Sequence, residues 1–386
     1  MKKQELRLPN IDFDMPITDL IMELEKMRYQ ILEGDTHPLV FQQIKQLFQT
    51  LESIGSSRIE GNNTTIMDYV ENTKIQKEPS TFSPQERIME IQNIENAMRY
   101  IEDNIQDIPI SSMFIRELHQ LAVKGLSYRK EGALHPGTYR MQNVVIGGSA
   151  HTPPDYTQVD GMMQELIDFI NKKDAHKYDL LKIAIAHHRF VWIHPFENGN
   201  GRVVRLFTYA LLLKFVFKKS AVRIINPTAV FCSDRNAYYS NLAKADTGTD
   251  AGLISWAEYM LNGLRIEIEK IDKLSNYSYL RNNILVPALL DAKDNSYIKE
   301  GEYAILKNTI FKTEQTLQSS DLSTLFPMLS ASERSRKIKG LIDKGMLKPV
   351  YENARKYVIA FSNNYLLRSI LKELDKKGFL PINYQS

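Results

Sequence analysis

His194-Pro195-Phe196-Glu197-Asn198-Gly199-Asn200-Gly201-Arg202-Val203-Val204-Arg205 runs between two long apolar segments, 178–191 and 202–217, and so reads as a loop held between rigid helices. Two glycines separated by one residue let successive backbone N–H groups turn inward and form an anion nest. The helix beginning near Arg202 adds its positive N-terminal end to the same spot. Arg202 and Arg205, three apart, share one face of that helix's first turn. Basic residues there oppose the helix dipole, a cost that an anion such as a polyphosphate in front of them removes. His194 leads the loop, and an unperturbed pKa near ~6.5 suits a general base that takes the proton of a hydroxyl. Neither G-x-x-x-x-G-K-S/T nor a G-x-G-x-x-G after a strand occurs, so a nucleotide site here is of another design. A glycine-rich interhelical turn with surface arginines accounts for the same residues, and their types and spacing leave both readings open.

Outward from the loop, helical periodicity dominates. Residues 41–60 carry Ile44, Leu47, Phe48, Leu51 and Ile54 as one apolar stripe, and Gly61 supplies a left-handed stop. Ser83-Pro84-Gln85-Glu86 is a helix start with Ser83 as N-cap, and Ile88, Ile91, Ile94 and Met98 continue its stripe to about 104. Further helices fit 111–122, 158–171 and 254–273. The break lies at 137–155, where Val144-Val145-Ile146 favours strand, Gly147-Gly148 suits a tight turn and Pro153-Pro154 ends the segment, predicting a short hairpin. After about 274 the pattern changes. Helices at 302–311 and around 320–326 precede a basic helix at 332–344, which Gly345 ends. Strands at 346–350 and 357–361 follow, joined by Glu352-Asn353-Ala354-Arg355. That is the element order of a winged helix-turn-helix. The expected fold is mainly α: an N-terminal helical region (1–105), a helical core with one hairpin (106–273), a helical linker (274–300) and a winged-helix domain (301–386).

The bulk numbers narrow the setting. In 386 residues, 43% apolar and 25% charged, there is room for two or three globular domains. No secretory signal is visible at the N-terminus, and the greasiest stretch, 209–217, contains Lys214 and is far short of a ~20-residue membrane span. A single cysteine, Cys232, excludes an internal disulfide. The expectation is a cytoplasmic protein with no membrane partner. Net charge is +3, but from Gly301 onward 14 Lys and Arg face 8 Asp and Glu, against 35 and 38 before it. A basic tail on a slightly acidic body suits an anionic partner and equally a solvated surface. His187, His188 and His194 do not form a metal cluster, because consecutive helical residues point about 100° apart.

The loop resembles the Fic (Fido) signature H-x-F-x-D/E-G-N-G-R-x-x-R, matched at every defined position but one, and the resemblance extends over roughly 40–265. It implies a protein adenylyltransferase that moves AMP from ATP to a Ser, Thr or Tyr hydroxyl. By that likeness His194 is the base and Phe196 anchors the loop. Gly199, Asn200 and Gly201 cradle the phosphates with Val203 and Val204 in the same turn, Arg202 binds the β- and γ-phosphates, and Arg205 lies at the γ-phosphate end. The fifth position, where the family's acidic residue holds Mg²⁺, is Asn198, whose amide oxygen lacks the charge this hard cation favours. Ser56-Ser57-Arg58-Ile59-Glu60-Gly61 fits the family's inhibitory motif S/T-x-x-x-E-G/N, so the resemblance pairs Glu60 with Arg205 and sets it against the γ-phosphate. The hairpin would be the flap that pairs with an extended target segment, with Val145 and Ile146 as clamp residues. Tyr238 and Tyr239 stand where relatives close around adenine, and core aromatics explain them equally well. Two alternatives are a nucleotide-sensing DNA-binding regulator and an enzyme that removes AMP. Expected partners are a target protein, this chain itself included, and DNA or protein at the winged helix. Apolar stripes on the N-terminal helices suit a homodimer.

Overall fold

Wherever apolar residues recur at three- and four-residue spacing, the computed structural model, which describes residues 5–29, 34–74, 84–147, 150–217, 227–361 and 364–380, is helical. The helices are α1 (Pro16–Tyr29), α2 (Pro38–Ile59), α3 (Ile66–Lys74), α4 (Pro84–Asn104), α5 (Ser112–Val123), α6 (Tyr156–Asn171), α7 (Asp179–Ile193), α8 (Asn200–Leu211), α9 (Pro227–Ser233), α10 (Arg235–Ala245) and α11 (Asp250–Ser275). Then come α12 (Tyr277–Leu280), α13 (Val286–Asp294), α14 (Glu300–Phe311), α15 (Leu322–Leu325), α16 (Ala331–Asp343), strands β1 (Leu347–Pro349) and β2 (Tyr357–Ile359), and α17 (Asn364–Lys376). Contacts divide the chain into two compact units. The first comprises Met1–Ile31, Gln49–Ile66 and Gln76–Ile268, the second Leu32–Phe48, Met67–Ile75 and Glu269–Ser386.

In the first unit α8 is central, packed against α4, α5 and α7, with α6 on the far side of α7. The sequence dictates that place. Val203, Val204, Leu206, Phe207, Tyr209, Ala210 and Leu211 are all buried, so α8 has no solvent face to spare. Its last regular turn widens into a π-type turn at Leu212–Val216. The N-cap assigned to Ser83 lies outside the described residues, as does Gly148 of the expected tight turn.

The predicted hairpin at 137–155 is not formed: among the described residues the only strand ladder is β1–β2. Side chains and main-chain carbonyls hold the segment instead. Arg140 Nε donates to His194 O (2.9 Å), its Nη1 to Gln142 O (3.1 Å) and its Nη2 to Pro154 O, while Arg140 N donates to Pro195 O (2.8 Å). Asn143 closes the far end, donating to Asp155 Oδ2 (3.0 Å) and accepting from Tyr156 N (2.9 Å). One buried guanidinium thus ties the Gln142 and Pro154 carbonyls of the segment to the His194 carbonyl. Of the β-favouring residues Val145 is left outside, 91% exposed, while Val144 and Ile146 are half-buried.

In the second unit β1 pairs antiparallel with β2 in the register Leu347–Ile359, Lys348–Val358, Pro349–Tyr357, and Leu317 adds a bridge to Tyr357. The α16 N-terminus carries a capping box in which Ser330 N donates to Glu333 Oε2 (2.8 Å) and Glu333 N to Ser330 Oγ (3.3 Å). Gly345, at φ 68°, ends the stretch. Within 274–300 lie α12 and α13, and α13 packs on α17. Gln43 also belongs to this unit, donating to Ile359 O (3.0 Å) and accepting from Phe361 N (2.8 Å). No described helix is long and apolar enough to cross a membrane.

Candidate active site

The loop between α7 and α8 is fixed from three sides. His194 caps α7 in left-handed backbone, φ 52° and ψ 62°, an uncommon state for a residue with a Cβ. Phe196, fully buried, stacks on the His119 ring from α5 with centroids 3.9 Å apart and planes within 6°. Asn200 closes the loop on itself: its Oδ1 accepts from Phe196 N (2.9 Å) and its Nδ2 donates to Phe196 O (2.8 Å). The Asn200 side chain is therefore spent inside the loop, and only its main chain remains for a ligand. Gly199, at φ 75°, is the N-cap of α8 and supplies no side-chain oxygen. The first amides of α8 are left uncapped, the arrangement that suits an anion. Val203 and Val204 point into the core, and Val203 N is already bonded to Gly199 O (3.0 Å).

His119 belongs to no sequence motif that would single it out. Its Nδ1 accepts from Gly137 N (2.8 Å), so its proton sits on Nε2, which donates to Asn198 O (3.2 Å). Burial pushes its pKa down to about 4, which keeps this neutral tautomer in place. Burial likewise draws His194 down to about 4, leaving its imidazole neutral and able to accept a proton at neutral pH.

Both arginines are buried. Arg205 Nε donates to Ser56 Oγ (2.8 Å), and its Nη2 donates to Ser56 O (2.9 Å) and Glu60 Oε1 (2.7 Å). Burial raises the Glu60 pKa, but the Arg205 charge and hydrogen bond outweigh it and hold the carboxylate below its ordinary range. A Cβ built on Gly201 would overlap Glu60 Oε1, so glycine there leaves the space over the helix end that the carboxylate fills. Arg202 is met by carboxylates. Its guanidinium, with no exposed surface, donates from Nη2 to Glu131 O (2.6 Å) and pairs with Glu131 (3.2 Å) and Glu90 (3.3 Å).

Asn198 Nδ2 donates to Lys130 O (2.6 Å) and its Oδ1 accepts from Gly199 N (2.7 Å). An amide is needed for the first bond, which a carboxylate could not make. Among the described residues no cluster of three or more His, Cys, Asp or Glu could hold a metal. With its amide tied to backbone and no charge to offer, Asn198 does not fit a protein-held Mg²⁺ site. Tyr238 is in the core, its hydroxyl 3.0 Å from His187 Nε2 and its ring against Phe231 and Trp256. Tyr239 is 43% exposed beside Arg235. Among the other histidines, His188 bonds Asp246 (2.9 Å) and His151 bonds Trp192 O (2.8 Å).

A buried helical domain presenting a neutral histidine beside an uncapped helix end and two arginines is thus what the fold and site define. Residues 109–212 match the Fic/DOC family model and constitute a Fic/DOC domain. The chain is 28% identical over 204 residues to protein adenylyltransferase Fic of Nematostella vectensis, covering 50% of this chain and 42% of that protein. To the Drosophila yakuba protein of the same name it is 30% identical over 161 residues, 41% of this chain and 30% of the relative. It therefore spans less than half the length of these relatives. Among solved structures, a Fic family protein from Desulfovibrio desulfuricans G20 aligns over 92% of this chain and 98% of its own (TM-score 0.55, 20% identity). A Fic domain-containing signaling protein from Bacteroides thetaiotaomicron aligns over 67% and 96% (TM-score 0.52, 19% identity). Both likenesses concern the fold.

Proposed function

We propose that the protein transfers AMP from ATP to a hydroxyl of a target protein and is held in check by Glu60. One observation carries this: the Glu60 carboxylate lies on Arg205 and over Gly201, at the uncapped end of α8. An anion from the chain itself fills the place that a terminal phosphate would take. In the proposed step the target hydroxyl oxygen bonds to the α-phosphorus as the bond to the β-phosphate bridge breaks. Pyrophosphate leaves, and the hydroxyl proton passes to the His194 imidazole. The main-chain amides of Asn200 and Gly201 and the Arg205 guanidinium would meet the phosphate charge. The segment 144–147, unpaired among the described residues, would take the target's extended main chain beside Val145 and Ile146. Incubation with ATP labelled at the α-phosphate tests the assignment. Glu60→Gly should label at least tenfold faster than the parent, about the factor a ~1.4 kcal/mol release gives. Labelling that survives His194→Ala in that background excludes the mechanism.

A second reading concerns the other unit. Arg336, Lys337 and Lys339 are exposed along α16, while Ile338 and Leu341 face inward. We propose that this face contacts an anionic partner, nucleic acid being the case that can be tested directly.

A further inference from the structure

Glu60 is not the only carboxylate on the site's arginines. Arg202 is met by two more, and the contacts differ in quality. Glu131 gives Arg202 Nη2 both a carbonyl and a carboxylate oxygen. Glu90, on α4 and 2% exposed, lies 3.3 Å from Arg202 Nη1, yet Glu90 Oε1 and Arg202 Nη1 and Nε make no hydrogen bond among the described residues. Such a buried pair bears its desolvation cost without the hydrogen bonds that repay it. Burial accordingly holds the Glu90 carboxyl above the usual range in spite of Arg202. The other Glu90 oxygen accepts from Asn62 Nδ2 (2.8 Å). Asn62 follows Glu60 by two residues, and its main-chain N–H is bonded to Ser57 O (3.1 Å). One short segment, 56–62, thus touches Arg205 directly and Arg202 through Glu90.

We propose that Glu90 and Glu131 are positioning residues that turn Arg202 onto carboxylates when no nucleotide is bound. They form a second latch, tied through Asn62 to the Glu60 latch, and ATP must displace both. The inference rests on the loop being a triphosphate site. Triphosphate oxygens would supply the acceptors that Arg202 Nε and Nη1 lack. They would also relieve the crowding of like charge in which Glu60 and Glu131 push up the Glu90 pKa and Glu60 that of Glu131. Once Glu60 is gone the Arg202 latch remains, so Glu60→Gly alone releases the site only in part.

ATP titration calorimetry and steady-state labelling of Glu60→Gly, Glu60→Gly/Glu131→Gln and Glu60→Gly/Glu90→Gln test this. Glu131 is more than a third exposed, so its glutamine variant should fold even if the Glu90 variant does not. Each double variant should bind ATP about tenfold tighter than Glu60→Gly, within the range of a coupling between sites. The gain should appear in KM rather than kcat, which a merely structural role would not produce. If Glu60→Gly binds ATP and the folded double variants bind it no tighter, the second latch is refuted and the transferase reading stands. If Glu60→Gly binds no ATP, both fall together.

Discussion

His194 occupies left-handed backbone at the end of α7, and burial draws its pKa to about 4 from an ordinary ~6.5. The base acts when neutral, and removing Glu60 removes a charge that raises this pKa, so in Glu60→Gly the acid limb should lie at or below about 4 and the rate be flat by pH 6. A pH–rate profile of kcat/KM for Glu60→Gly checks this, and an acid limb near 6.5 would contradict it. The sign follows from burial, which disfavours the imidazolium. The motif made the identity of His194 legible, but its pKa was not, because packing around the loop sets it. His119 shows the same limit from the other side. It belongs to no short motif, and it acts by stacking on Phe196 and bonding residues 79 and 18 positions away. The contacts of Arg202 with Glu90 and Glu131 were not legible either, because sequence spacing does not bring those two residues near it.

At the scale of the element, the loop, α7, α8 and the Glu60 helix were legible because each is a regular pattern read locally. The 137–155 segment was not. Its Val144-Val145-Ile146 run favours strand, but β-propensity expresses itself only against a partner strand, and among the described residues this run has none. Helix α17 was missed although Leu366, Leu367, Ile370, Leu371 and Leu374 form its buried stripe, a pattern that follows directly on the strand signals. The Asn198 departure also resolves at this scale, since the residue ties the loop to the Lys130 carbonyl. Asn198→Asp would set a carboxylate against that carbonyl and lose the bond, at a cost of about 0.5–1.5 kcal/mol. Thermal unfolding should show a Tm lowered by several degrees. The same variant should label more strongly when Mg²⁺ is added, because it supplies the charged oxygen a hard cation favours. An unchanged Tm would mean that the Lys130 contact contributes nothing.

Across the whole molecule, composition anticipated more than one compact body and an uneven charge, but not that 32–48 and 67–75 would cluster with the C-terminal residues. Gln43 shows why: its partners Ile359 and Phe361 are more than 300 residues away, and one glutamine on an apolar stripe announces no such pairing. If the basic face of α16 meets nucleic acid, affinity for duplex DNA should fall steeply from 50 to 200 mM salt. Replacing Arg336, Lys337 and Lys339 by alanine should flatten that dependence; binding unchanged in the triple variant would remove α16 from the interface. The central claim is that Glu60 occupies a phosphate's place on Arg205, and ATP calorimetry on the parent and on Glu60→Gly tests it most directly. The account predicts at least tenfold tighter binding in the variant, lost again when Arg205 is also replaced by alanine. Equal affinity in the two, or binding indifferent to Arg205, would contradict it.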